Sequence, residues 1–114
     1  SVEWKESDAP YHRVARITGP RHNLLDLEIV EGTEPIAPVL EELPQIGSCS
    51  HEPLDHQSVI RHVLGGVNAA NAKLGTSYSV RSIRIVRNDT PPAEVYEMLA
   101  ALLVEHAHRS SQVE

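Results

Sequence analysis

The chain has 114 residues, a formal charge of −6 and one cysteine. This length corresponds to one domain, residues 1–114, with enough residues to bury a core. One cysteine excludes an intrachain disulfide, and net acidity argues against a dedicated nucleic-acid binder, whose affinity depends on neutralising phosphates. No apolar run reaches the length of a membrane span and no signal-peptide pattern opens the sequence, so we expect a soluble, cytoplasmic protein without membrane contact.

The N-terminal third predicts a β-hairpin after a polar lead-in. Residues 1–10 form this lead-in, and we expect its Trp4 to pack on the body of the protein. Residues 11–18 are rich in β-forming side chains, and residues 24–31 alternate apolar and acidic positions, which is typical of a half-buried strand. The intervening GPRHN has turn chemistry, so we expect Arg21, His22 and Asn23 to lie exposed at the hairpin tip.

The middle of the chain predicts an irregular segment followed by a helix. Residues 32–53 carry four prolines and two glycines, which favours a loop with at most one helical turn or a short edge strand, and loops of this length are often functional. A helix should then begin after Asp55, a good N-cap, and end before Gly75. Gly65 and Gly66 interrupt its apolar stripe, and we expect close approach to the sheet to be the reason.

The C-terminal part predicts a strand and a second helix. Residues 78–87 alternate imperfectly, and a bulge near Ser82 would bring their apolar side chains to one face. Thr90 is suited to cap the next helix with Pro91 at its first position, and residues 110–114 form a tail. The predicted fold is α+β: a small antiparallel or mixed sheet of about three or four strands with two helices on one face, in the order β-β-(loop)-α-β-α.

The pattern C-x-H-x4-H-x5-H is the strongest indication of chemistry in this sequence. Zinc binds cysteine and histidine in tetrahedral sites, so a metal or thiol site is one alternative. His56 and His62 are six residues apart in the predicted helix, which places them on different faces, and the spacing matches no zinc signature. Cys49 lacks the sequence context of a catalytic nucleophile. The candidate metal ligands are Cys49, His51, His56 and His62.

From about Ser58 to His106, the segments SVIRHVLGGVNAANAKLG, YSVRSIRIVRND and TPPAEVYEMLAALLVEH follow one another as helix, strand and helix. They resemble domain IV of the translational GTPases, namely elongation factor G and the tetracycline-resistance ribosomal protection proteins. The resemblance implies a fold like the second domain of ribosomal protein S5 and contact with the ribosome. The GTPase core is absent, and the loop with which that family touches the decoding region is reduced to residues 88–90. The resemblance therefore assigns no functional residue.

These observations favour a non-enzymatic interaction domain with a protein or ribonucleoprotein partner, without a cofactor and without catalytic residues. Its contact surface would be the sheet face opposite the helices together with the hairpin tip. A second hypothesis is an acidic inhibitor or immunity-type protein, which would need a contiguous face of Glu31, Glu34, Glu41 and Glu42. A homodimer through a sheet edge is also compatible with the pattern. The predicted binding residues are Arg16, Arg21, His22, Arg81, Arg84 and Arg87.

Overall fold

The computed structural model describes residues 1–32 and 35–112. Within these residues the predicted α+β class with two helices is confirmed, but the sheet has five strands and not three or four. One additional strand lies in the lead-in, where none was predicted, and the other lies in the irregular segment, for which a short edge strand was one of the alternatives. In chain order the elements are β1 (Val2–Lys5), β2 (Tyr11–Thr18), β3 (Arg21–Glu31), β4 (Val39–Leu43), α1 (His56–Leu74), β5 (Tyr78–Val86) and α2 (Val95–Ser111).

The strands form one mixed sheet in the order β1-β2-β3-β5-β4. The first three pairings are antiparallel, whereas β4 runs parallel to β5. Parallel neighbours need a long crossover connection, and α1 lies in that connection. The two edge strands are short, and β1 is exposed along its whole length. The edge strands β1 and β4 therefore form because they pair with β2 and β5, and not because their own side chains are buried.

The irregular alternation of β5 is resolved by a bulge next to Ser82, as predicted. Glu28 pairs with Ser82 while Ile29 pairs with Val80, so Arg81 is the extra residue. This insertion puts Val80 and Ile83 on the same buried face although their spacing in the sequence is odd.

Local capping places both ends of α1 where the sequence predicts them. The Asp55 carboxylate accepts a hydrogen bond from the backbone N–H of Ser58 at 2.9 Å, and Gly75 ends the helix with φ of 70°. The predicted reason for the glycines was wrong. A Cβ on Gly66 would overlap the backbone carbonyl oxygen of Glu97, so the close approach is between α1 and α2 and not between α1 and the sheet.

The start of α2 also differs from the prediction. This helix begins at Val95 after Glu94, and Thr90 does not cap it. Instead the Thr90 hydroxyl accepts a hydrogen bond from the His22 N–H at 3.0 Å, and the Thr90 N–H donates to the His22 carbonyl at 3.0 Å. Thr90 therefore pairs with His22 across the fold and does not act as the predicted helix cap. This pairing helps to form the site described below.

The helices cover one face of the sheet and enclose a single aliphatic core. Its largest buried side chain is Tyr96, the one aromatic ring among the fully buried residues. Trp4 stacks on His106 of α2 with ring centroids 4.1 Å apart, so the expected packing of Trp4 is confirmed. Neither helix has the length and apolarity needed to cross a membrane. The sheet contributes Val14, Leu25, Leu27, Val80, Ile83 and Ile85 to this core.

Candidate metal centre

His22, Cys49 and His51 meet at the end of the sheet where β3 begins and β5 ends. His22 lies on β3, whereas Cys49 and His51 lie on the irregular segment between β4 and α1. One ring nitrogen of each histidine and the sulfur of Cys49 lie within 4.8 Å of one another. The two imidazole rings are 6.0 Å apart and meet edge to face. This arrangement brings two nitrogen ligands and one sulfur ligand to one point.

The turn after β5 holds one nitrogen of each ring. Nδ1 of His22 lies 3.3 Å from Oδ1 of Asp89, and Nε2 of His51 lies 3.1 Å from the hydroxyl of Thr90. Such contacts fix the orientation and tautomer of an imidazole and leave its other nitrogen available to a ligand. For His22 the other nitrogen is Nε2, which is buried and has no hydrogen-bond partner among the residues that the structure describes.

Asp89 is itself held rigidly, because four donors surround its buried carboxylate. Oδ2 accepts hydrogen bonds from the Tyr96 hydroxyl at 2.6 Å, from the Leu24 N–H at 3.0 Å and from the Val86 N–H at 3.3 Å, while Oδ1 faces His22. Burial raises the pKa of Asp89, whereas these hydrogen bonds act in the opposite direction. Burial and the neighbouring Asp89 charge raise the pKa of Tyr96 well above its ordinary value, so Tyr96 stays a donor.

Asn88 fixes the segment that carries Cys49. Its amide donates to the carbonyls of Ile46 and Cys49 at 2.8 and 3.0 Å, and its oxygen accepts from the Ile46 N–H at 3.0 Å. The segment turns back at Gly47, whose φ of 70° favours glycine. Three consecutive residues therefore position the ligands. Asn88 holds the segment that carries Cys49, Asp89 holds the ring of His22, and Thr90 holds the ring of His51.

The donor set suits a transition-metal ion. Zinc binds histidine nitrogen at about 2.0 Å and cysteine sulfur at about 2.3 Å, which sets ligand atoms about 3.5 Å apart in a tetrahedron. Because the ligand atoms lie within 4.8 Å of one another, this spacing is reached by a closure of at most about 1.3 Å, and rotation of the exposed Cys49 side chain can contribute to it. Three protein ligands leave a fourth position open, as in catalytic zinc sites.

Comparison of the chain with protein-family models, with curated proteins and with solved structures gives no match. The resemblance to domain IV of elongation factor G stays a prediction that these comparisons do not test.

The structure brings together only half of the metal ligands proposed from the sequence. Cys49 and His51 belong to the cluster. His56 instead pairs with Glu42 at 2.9 Å, and His62 pairs with Glu97 at 3.1 Å between the two helices. The histidine that completes the set is His22, which the sequence placed at an exposed tip.

The predicted arginine surface is largely neutralised at its centre. The Arg84 side chain is 11% exposed and binds the buried carboxylate of Asp26 at 2.8 Å and the exposed carboxylate of Asp8 at 2.7 Å. Arg21 is exposed and Arg16 half-buried, and no carboxylate of residues 1–32 or 35–112 lies within 4 Å of either guanidinium. The use of these residues as a contact surface stays a prediction.

The remaining two arginines are exposed but lie beside acids. Arg81 lies 3.5 Å from Glu28, and Arg87 lies 3.6 Å from Glu42. Exposed pairs of this kind contribute little to stability and leave the guanidinium accessible. Arg87 is the one that lies next to the metal-ligand cluster, in the cavity that also contains Cys49 and His51.

The acidic face needed for an inhibitor-type protein is interrupted. Glu31 lies opposite Tyr78 at one end of β5, whereas Glu41 lies opposite Arg84, six residues along that strand. This spacing corresponds to about 20 Å. Glu42 is shared between His56 and Arg87, and Glu34 lies outside the described residues.

Sequence reasoning missed His22 and Asp89 as members of the site. From the sequence, Asp89 is placed only in the short loop of residues 88–90 and Thr90 is predicted as a helix cap, because both fit those local roles. Asp89 lies 67 residues after His22 in the chain. No local pattern signals a partner at that separation. The sequence offers one indirect signal, which is an apolar strand that ends in Asn-Asp-Thr in a chain that also carries a Cys/His loop.

Proposed function

We propose that this protein binds one zinc ion through His22, Cys49 and His51. The observation that carries the proposal concerns His22: its buried Nε2 has no partner among residues 1–32 and 35–112, and its ring clusters with a thiol and a second imidazole. A buried polar atom without a partner costs free energy. Coordination of a metal ion gives this nitrogen a partner and uses the two neighbouring side chains at the same time.

The surroundings of the ligands support zinc in particular. Imidazole and thiolate are ligands that zinc prefers, whereas calcium and magnesium prefer oxygen. The contact of Asp89 with His22 is the carboxylate–histidine arrangement that orients zinc ligands in many proteins. Cys49 must lose its proton on binding, so zinc uptake should release protons.

A thiol nucleophile is the second candidate, since Cys49, His22 and Asp89 also follow the order of nucleophile, base and orienting acid. A catalytic pair needs a hydrogen bond of about 2.6–3.2 Å between nitrogen and nucleophile, often longer before substrate binds. Nε2 of His22 has no hydrogen bond to Cys49 in the described residues. The structure therefore lacks the direct contact between nucleophile and base that this candidate needs.

Zinc titration of chelator-treated protein tests the proposal. Competition with a chromophoric chelator should give one zinc per chain, and zinc content after equilibrium dialysis should agree. The variants Cys49→Ala, His22→Gln and His51→Gln should each weaken zinc binding by about 100-fold or more, because each removes one of three ligands and loss of a supporting contact alone costs 10–100-fold.

Matched controls come from the two histidines that the sequence proposed and the structure separates. His56→Gln and His62→Gln should leave zinc affinity within about twofold of the wild type, since both side chains pair with glutamates elsewhere. The proposal is wrong if the wild type binds no stoichiometric zinc. It is equally wrong if the control variants lose as much affinity as the ligand variants. Rapid alkylation of Cys49 that depends on His22 in a protein without zinc affinity would favour the thiol candidate.

The interaction-domain hypothesis, with a protein or ribonucleoprotein partner, stays a prediction. Because Arg84 is paired with Asp26, the hypothesis that an arginine surface binds this partner is weakened. Homodimerisation through β1 or β4 also stays a prediction, to which Val39, 68% exposed on β4, lends some support.

A further inference from the structure

A cavity of about 340 Å³ opens beside the ligand cluster and is lined by both Cys49 and His51. Asn88 and the Glu42–Arg87 pair form another part of its wall. Because Nε2 of His22 is buried while Cys49 is exposed, solvent and small molecules approach an ion at this site from the side of Cys49 and His51. Two of the three proposed ligands, Cys49 and His51, thus line this cavity, whereas His22 does not.

Arg87 is the cation of this wall. Its side chain is 67% exposed, and its nearest carboxylate oxygen, from Glu42, lies 3.6 Å from Nε. The other oxygen of Glu42 is 2.9 Å from Nε2 of His56, so the acid is already held by a second partner. The guanidinium has five N–H donors in a planar fork, and one loose contact leaves most of them free for an anion.

We propose that the cavity binds the oxyanion group of a small molecule, a carboxylate or a phosphate, between the metal ion and Arg87. One oxygen of the anion occupies the open coordination position, and another accepts hydrogen bonds from the guanidinium. Both zinc and arginine bind oxygen anions of this kind. The inference rests on the proposed zinc site, and it names the class of ligand that the site takes.

Cobalt(II) provides the test, because it replaces zinc in tetrahedral sites and absorbs visible light according to its ligands. The full chain is loaded with cobalt and titrated separately with inorganic phosphate and with acetate. We expect a saturable change in the visible spectrum with at least one of the two anions. The anion that binds more tightly shows whether the cavity prefers a phosphate group or a carboxylate group.

Arg87→Gln should weaken this anion binding about tenfold, because charge-assisted hydrogen bonds to oxyanions are the stronger class. Its affinity for cobalt should change less than threefold, since Arg87 is not a ligand. Arg109→Gln is the matched control: Arg109 is similarly exposed, at 62%, and lies 3.9 Å from one glutamate on α2. Anion binding by that variant should equal the wild type.

The outcomes separate the two proposals. Cobalt binding without any spectral response to either anion overturns the oxyanion inference and leaves the metal site standing. Equal losses in Arg87→Gln and Arg109→Gln also overturn it, because the effect would then be general electrostatics. Failure to bind cobalt or zinc at all overturns both.

Discussion

Replacement of Asn88 should separate the metal site from the stability of the fold. Asn88→Ala removes three hydrogen bonds that tie the Cys49 segment to the turn after β5, at 2.8, 3.0 and 3.0 Å. Net contributions of about 0.5–1.5 kcal/mol for each bond give a loss of about 1.5–4.5 kcal/mol in the free energy of unfolding. Because the segment then loses its fixed position, zinc affinity should also fall 10–100-fold.

Asn71 offers a control with the same chemistry in another place. Its side chain also makes three hydrogen bonds, to the carbonyl and N–H of Tyr78 at 2.9 Å each and to the Thr76 hydroxyl at 2.8 Å, and it fixes the turn between α1 and β5. Asn71→Ala should therefore lose a similar amount, about 1.5–4.5 kcal/mol, in the free energy of unfolding. Its zinc affinity should match the wild type, because this turn carries no ligand.

Urea unfolding of the metal-free proteins, followed by far-ultraviolet circular dichroism, measures the stability of the two variants. Chelator competition measures zinc affinity at a temperature where both variants are folded. If Asn71→Ala loses as much zinc affinity as Asn88→Ala, global destabilisation explains the effect and the positioning role of Asn88 is refuted. Retention of full zinc affinity by Asn88→Ala refutes it as well.

Two further predictions concern the frame around the site. Gly66→Ala should destabilise the protein by about 2 kcal/mol in urea unfolding, because its Cβ overlaps the Glu97 carbonyl and overpacking typically costs about 1–3 kcal/mol. In Gly65→Ala the new Cβ meets only the end of the Glu97 side chain, at 3.1 Å. This variant should have an unchanged free energy of unfolding or gain up to about 1 kcal/mol in the same assay. The Arg84 hydrogen bond holds the pKa of Asp8 at about 2, below its ordinary 3.8, so the stability that Asp8 contributes is present above pH 4 and lost as the pH falls towards 2. Asp8→Asn should accordingly be less stable than the wild type at pH 6 and equally stable at pH 2; a constant difference in unfolding midpoint across this range would contradict the assignment.

Some of the fold could be predicted because its causes are local. The Asp55 and Gly75 caps of α1 depend on residues within four positions of each helix end. The bulge at Arg81 follows from the phase of the apolar side chains in β5. The edge strand β1 was missed because it has no buried residue, and β4 was predicted only as one alternative because it lies among prolines. Their hydrogen bonds are supplied by neighbouring strands, and a neighbour is not visible in a segment's own sequence.

The site was predicted only in part for the same reason. Cys49 and His51 are two residues apart, so their proximity follows from the chain itself. His22 is 27 positions before Cys49 and joins them only because β3 lies next to β5 in the sheet. His56 and His62 are closer in sequence but lie on the helix, which carries them to other partners.

The sequence by itself therefore determined the class of fold, the limits of α1 and the alternation of the strands, since these depend on side chains a few residues apart. The tertiary structure decided which polar residues act together. The segment from Asn88 to Thr90 has the local pattern of a turn and a helix cap. In the fold it contacts β3 and the Cys49 segment, 39 to 68 residues away, and its side chains are buried between them. A buried polar group must find its hydrogen-bond partners wherever the fold places them. For this reason a segment with a turn sequence supports the proposed metal site.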